Sequence, residues 1–366
     1  MSGDGDTRAS PSQWPESLDA MIAAPGHHEI LDSRTLGAKP DKGRTLWSAA
    51  LAAFALALAS QVAAAAETLA TPECKLNRIA SVDFAFKDLA FIPVQVNGHP
   101  GAMVLDTASA FSVLWWNAIS DLRLPTHLTM MVGTEEFIQL AYFKSLVIGN
   151  VTFSKGTFVR STRPSDAPRE PPIGPVFGTL GMDVFAHVDF ELDFARKKLN
   201  LYSQEHCPGK VVYWADAYSE APMHRGTLGN LYFPMELDGK KIQATVSTGS
   251  LMTSLTTDLT RKLYGFDERS SDIEVEEDSS GGPAAHYRAM MLTAEGLKVT
   301  STRIRLIPPQ PACWLHPDRQ DRAFGYGNEC TGTYPLKLGL NVLQKLHLYF
   351  ATKEQVLYFT PADASK

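Results

Sequence analysis

The sequence has no cationic surplus: 34 Lys and Arg stand against 40 Asp and Glu in 366 residues, a net charge of −6. A chain that neutralises phosphates needs the opposite balance, so no nucleic-acid partner is expected. Cysteine is scarce, at four residues, and no two are spaced C-x-x-C, which removes the usual thiolate zinc site. No H-E-x-x-H, Walker-type or G-x-S-x-G stretch occurs, so zinc-peptidase, phosphate-loop and serine-hydrolase chemistry have no motif to rest on. Neither a metal nor a cofactor is expected, and the adjacent His27 and His28 fall in a polar leading segment. Long apolar runs are absent too, with one exception between Leu46 and Ala66. What is present is a chain 44% hydrophobic, long enough for a substantial core and for two domains.

The exceptional run is rich in Ala and Leu, follows Lys39, Lys42 and Arg44, and ends in Ala63-Ala64-Ala65-Ala66 before Glu67. A positive flank, a short apolar core and small residues at the end are the parts of a secretory signal, with cleavage expected after Ala66. The chain would then be periplasmic or secreted, with no membrane contact after cleavage. The alternative is an anchor retained over residues 46–66, which is just long enough to span but only weakly hydrophobic. Residues Met1 to Gly43 read as an unstructured leader, with Met21 as a later start. An even number of cysteines in an exported chain favours disulfides over free thiols. Cys74 and Cys207 bracket one half of the chain, and Cys313 and Cys330 bracket an insertion in the other, although four cysteines formally allow three connectivities.

One pattern occurs twice. Phe91 to Gly98 reads as a strand and an Asn-Gly turn, followed by an apolar strand ending in Asp106-Thr107-Ala108; Leu231 to Gly239 reads as a strand and an Asp-Gly turn, followed by a strand ending in Ser247-Thr248-Gly249. Asn-Gly and Asp-Gly between apolar alternations are strong hairpin signals. Each half continues through β-rich sequence, Leu146 to Val151 and Gly296 to Val299. Each then closes with a Leu-Gly turn, a short helix and a terminal hairpin: Gly181-Met182-Asp183 before Val188 to Tyr202, and Gly339-Leu340-Asn341 before Leu346 to Phe359.

This double pattern resembles the retropepsin-like aspartic peptidase family, over roughly Phe91 to Tyr202 and again Leu231 to Phe359. The resemblance implies an all-β fold of two tandem barrel lobes with short helices. We place the leader and signal at 1–66, the first lobe at 67–208, a linker at 209–230 and the second, degenerate lobe at 231–366. It also implies a catalytic role for Asp106, supported by Thr107 and Ala108, with Ser247, Thr248 and Gly249 as the facing turn. Ala108 departs from the family's Gly. Gly181, Asp183, Gly339 and Asn341 would be structural turn residues.

Aspartic peptidases use two carboxylates that share one proton, one acting as base for water while the other donates a hydrogen bond. Ser247 cannot replace a carboxylate. Three outcomes stay open: two chains pair to bring Asp106 to Asp106 as a homodimeric peptidase, Asp106 acts weakly alone, or the inter-lobe cleft binds an extended peptide or protein partner without cutting it. Asp106 also fits an ordinary strand-end turn residue. Trp115 and Trp116 read as core or cleft wall. Glu274 to Asp278 reads as an exposed loop near a flap tip, and Arg163 to Pro175 as a surface excursion.

Overall fold

The computed structural model describes residues 75–130, 137–161, 173–226, 230–265, 270–277, 283–308 and 336–364. Both expected hairpin turns form. Asn97 and Gly98 have φ of 49° and 83°, and Asp238 and Gly239 have φ of 46° and 76°. These positive values match the twist of the flanking strands, which is why Asn-Gly and Asp-Gly occupy the two places. The alternation of buried and exposed positions in Leu231–Leu237 is that of a strand with one face on a core.

The hairpins grow into two closed six-stranded barrels. The first runs in the order Leu89–Val96, His99–Leu105, Val176–Leu180, Val113–Leu114, Val151–Arg160 and Phe137–Ile148, and closes through Gln95↔Val147 and Val96↔Leu146. The second repeats it with Leu231–Leu237, Lys240–Val246, Leu336–Leu338, Ser254–Thr256, Leu297–Ile307 and Pro283–Ala294, and closes through Glu236↔Thr293 and Leu237↔Leu292. In each barrel the strand that carries the repeated turn runs parallel to the strand that leads into the Leu-Gly segment. The all-β architecture of two tandem barrels that the resemblance implies is therefore present. Both barrels belong to one compact unit.

A third sheet joins the halves. Its order is Arg78–Asp83, Lys198–Tyr202, Asp189–Asp193, Leu346–Ala351, Val356–Pro361 and Ser219–Pro222. The two terminal hairpins meet at its centre, where Phe190 pairs with Phe350 and Leu192 with Leu348. The Phe190 and Phe350 rings stack with centroids 4.3 Å apart. Phe190, Leu192, Leu348 and Phe350 belong to the main hydrophobic core, whereas Tyr202 and Tyr349 pack with Val211, Trp214 and Ala215 in a separate cluster.

Two segments differ from their sequence readings. The stretch expected to be a plain linker, 209–230, is partly structural: Val211 and Trp214 are buried, and Ser219–Pro222 is an edge strand of the joining sheet. Its Pro and Gly content hid this. Pro222 sits at the end of an edge strand, where the lack of an N–H is tolerated. Glu274 to Glu277 lie on the strand Ile273–Glu277, paired with Pro283–Ala294, instead of on an open loop. Glu274 and Glu276 form ion pairs with Arg288 and Arg303, which is what an acidic run gains from a strand conformation beside cationic neighbours. Asp278 and the surface excursion at 163–172 lie outside the described residues.

Candidate functional site

The site is assembled from the two repeated turns. Asp106 follows the strand His99–Leu105, and its N–H donates to Leu180 C=O at 3.0 Å; Ser247 follows Lys240–Val246, and its N–H donates to Leu338 C=O at 2.9 Å. Ser109 N–H then donates to Asp106 C=O and Ser250 N–H to Ser247 C=O, closing equivalent turns. The threonines lock the turns together. Thr107 Oγ1 donates to Val246 C=O at 2.7 Å, and Thr248 Oγ1 donates to Leu105 C=O at 2.8 Å. Thr107 N–H donates to Thr248 Oγ1 at 3.1 Å, and Thr248 N–H donates to Thr107 Oγ1 at 3.3 Å. Every bond has its counterpart from the other lobe, and all four are buried.

Behind each turn stands a polar brace. Asp183 accepts from Ser112 N–H at 2.9 and 3.0 Å, from Ser112 Oγ at 2.7 Å and from Val184 N–H at 3.0 Å. Ser112 Oγ in turn accepts from Gly181 N–H at 2.9 Å. In the second lobe Asn341 Oδ1 accepts from Thr253 N–H and Oγ1 at 2.7 and 2.8 Å, and Thr253 Oγ1 accepts from Gly339 N–H at 3.0 Å. Asp183 and Asn341 therefore do the same work, which needs acceptor oxygens and not a negative charge. Gly181 and Gly339 are required by contact: a Cβ at either would lie 2.5 or 2.3 Å from the carbonyl carbon of Phe111 or Met252.

The two halves are not equal at the centre. The Asp106 carboxylate accepts from Ala108 N–H at 3.0 Å. It presses on the opposite turn: a Cβ at Gly249 would stand 2.5 Å from Asp106 Cγ. In the repeat Ala108 corresponds to Gly249 and Ser247 to Asp106, so the lobe pairing that has Ala in place of Gly also has a hydroxymethyl side chain in place of a carboxymethyl one. Ser247 itself is buried, and its hydroxyl shares a hydrogen bond with Ser250 Oγ at 2.8 Å. Burial pushes the Asp106 carboxyl above the usual carboxylate range, against the Ala108 N–H, the charge of Lys337 and the N–H groups of Gly249 and Ser109.

Lys337 was not singled out by the sequence reading. It lies in Leu336–Leu338, in register with Thr245 on the neighbouring parallel strand, one residue before the carbonyl that caps Ser247. Burial lowers its ammonium pKa and the Asp106 charge raises it again. The signal was there: a lysine flanked by two leucines just ahead of the Leu-Gly turn, where the first lobe has Thr179. A cation on an otherwise apolar strand asks for an anion nearby.

A second ionisable group lies on the joining sheet. Glu191, Asp193 and His347 bring ligand-type atoms within 4.8 Å of one another, all buried. Glu191 is fully engaged by His347 Nε2 at 2.6 Å, Tyr202 OH at 2.5 Å and Tyr213 OH at 3.0 Å, while Asp193 is held by Arg196 at 2.9 Å. Of the cysteines, only Cys207 is among the described residues; it is disulfide-bonded, and Cys74, Cys313 and Cys330 fall outside, so connectivity stays an expectation. No helix among the described residues is long and apolar enough to cross a membrane. The leader, the expected cleavage site at Ala66 and the alternative anchor at 46–66 also lie outside them.

No protein-family model matches this chain, and no curated protein matches it.

Proposed function

We propose that this protein is an aspartic-peptidase-like binding protein that holds an extended peptide or protein segment in the cleft between its lobes without hydrolysing it. The observation that carries this reading is the closed interlock of Thr107 and Thr248 within one chain, with Asp106 before one threonine and Ser247 before the other. Two-carboxylate hydrolysis needs a second acid, and position 247 has a buried Ser engaged with Ser250. Bringing a second Asp106 from another chain would require breaking the interlock and parting the sheet pairs Phe190↔Phe350 and Leu192↔Leu348. That makes the two-chain peptidase the weaker of the readings drawn from the sequence.

Exposed apolar side chains favour a bound segment. Phe111 and Leu251 sit on the two turn segments, and Leu128, Phe137 and Val275 on the hairpins that extend beyond the barrels, all exposed. Leu128 and Phe137 share a hairpin face with the buried Ala141 and with Thr126 and Gln139, which hydrogen-bond to each other at 2.8 Å, so the face offers both apolar and polar contacts. An extended ligand between hairpin and turns would gain backbone hydrogen bonds and side-chain pockets together.

The test is selection of a random dodecapeptide display library on the chain from Glu67 onward, with cleavage of the recovered synthetic peptides followed from pH 3 to 8. Binding that competes among recovered peptides and weakens in Phe137→Ser, with no cleavage, supports the proposal. Cleavage abolished by Asp106→Asn and rising with the square of protein concentration would replace it with the two-chain peptidase.

A further inference from the structure

We infer that the first lobe carries a second binding site, apart from the repeated turns, for a small molecule that combines an ammonium group, an apolar body and one hydrogen-bond acceptor. The site is a cavity of about 420 Å³ between the start of the strand His99–Leu105, the helix Trp116–Asp121 and residues 175–177. That volume is in the range of small-ligand pockets. His99 opens the strand whose far end delivers Asp106, so this wall stands about 20 Å from the repeated turns at roughly 3.3 Å per residue. The inference therefore does not rest on the cleft reading above.

The walls are fixed by backbone bonds. Ala102 N–H donates to Pro175 C=O at 2.8 Å, Trp115 N–H to Phe177 C=O at 2.9 Å and Leu122 N–H to Ala118 C=O at 2.9 Å. The Phe177 ring rests against Gly101, where a Cβ would lie 2.4 Å from it. Trp115 and Phe177, both buried, thus form an apolar floor that is in place before any ligand arrives.

The polar groups on this cavity are not explained by the fold. Trp115 is 8% exposed, yet its Nε1–H has no hydrogen-bond partner among the described residues. It is not sealed in the core as the orphan Thr256 Oγ1 is, so the accessible part of the residue opens on the cavity it lines. A buried indole N–H usually finds an acceptor, and here the ligand would supply it. Asp121 is the last residue of its helix, and a carboxylate beside the terminal C=O groups is unfavourable there. Its side chain has no ion pair or hydrogen bond among the described residues to offset that cost. Asn117 lies four residues earlier on the same helix face, so it shares the rim with Asp121. The other titratable group on the lining is His99. A ligand that satisfies this set offers an acceptor to the indole, a cation to the carboxylate and an apolar surface to the floor.

Phenylalaninamide has all three features, 3-phenylpropanamide lacks only the ammonium, and 3-phenylpropionate is an anion. Each is titrated into the ¹⁵N-labelled protein while the Trp115 indole resonance is followed, assigned as the one missing from Trp115→Phe. Phenylalaninamide should shift it saturably below about 10 mM and bind about tenfold more tightly than 3-phenylpropanamide, with 3-phenylpropionate weaker still. Asp121→Asn should remove that preference and Asp121→Lys should reverse it towards 3-phenylpropionate. Asp121 is exposed, so neither change disturbs the core. A Trp115 resonance that none of the three molecules moves would overturn the site. Equal affinities for all three, or an amine preference that survives Asp121→Lys, would overturn recognition of the ammonium by Asp121. If a variant fails to fold, the ranking of the three molecules on the wild type decides.

Discussion

Thr248→Val is the substitution that most directly tests the lobe interlock. Valine keeps the shape and β-branching of threonine, so no cavity opens, and the change isolates the hydroxyl. Two bonds to backbone groups are lost, the 2.8 Å donation to Leu105 C=O and the 3.1 Å acceptance from Thr107 N–H, together with a 3.5 Å contact to Thr107 Oγ1. Both abandoned groups are buried and find no water, and an unsatisfied buried group costs about 1–3 kcal/mol. The expected loss is therefore about 2–6 kcal/mol of folding stability, at the large end for a single substitution. Thr107→Val is the mirror case and should cost a similar amount. Because the two residues share the bonds between them, the double variant should lose about 1 kcal/mol less than the sum. Thr248→Ser serves as the control, since it retains the hydroxyl and gives up only a methyl group. Urea unfolding followed by tryptophan fluorescence and far-ultraviolet circular dichroism measures all four. A loss below about 1 kcal/mol for Thr248→Val, or one matched by Thr248→Ser, would refute the assignment of this hydroxyl as the lock between lobes.

Further outcomes follow from the asymmetry of the two turns. Ser247→Asp alone should destabilise the fold by about 1–3 kcal/mol, because the new carboxyl meets the Cβ of Ala108, and adding Ala108→Gly should recover much of that loss in the same urea titration. Gly249→Ala should cost a similar amount, since its Cβ would lie 2.5 Å from Asp106 Cγ. Asp183→Asn should stay within about 1 kcal/mol of the wild type because Asn341 already braces the second lobe that way, whereas Asp183→Leu should cost about 3 kcal/mol or more. Burial raises both Asp106 and Asp183 above their ordinary values, so the folded state binds protons more tightly than the unfolded chain. Their contribution is fully present below the unfolded value and is lost as pH rises through the folded one. Asp106→Asn and Asp183→Asn should each flatten the decline of the urea midpoint from pH 4 upward; an unchanged slope in both variants would contradict the shifts.

How much of this was legible beforehand depended on range. Asn97-Gly98 and Asp238-Gly239 announce their turns because the required positive φ is a property of two adjacent residues. The pairing of the two turns could be expected from the repeat, and the structure brings Thr107 to Thr248 as that symmetry implies. The brace role of Asp183 was anticipated, but its equivalence to Asn341 needed the Ser112 and Thr253 contacts to be seen. The joining sheet was hidden because its partners, Asp189–Asp193 and Leu346–Ala351, are separated by most of the second lobe. Residues 209–230 were misjudged for a related reason: Pro and Gly content speaks to local conformation, while the burial of Val211 and Trp214 is decided by what lies across from them.

The sequence by itself determined the tandem repeat, the strand and turn positions within each copy, and the loss of the acid at position 247. All three are carried by residue identity and short-range spacing, where backbone sterics and hydrophobic alternation act. Only the tertiary structure decided that the two turns close on each other within one chain and that Gly249 must stay bare beneath the Asp106 carboxylate. Electrostatic and packing interactions depend on distance through space, and strand pairing joins residues as far apart in the chain as 190 and 350, an interval that no local pattern records.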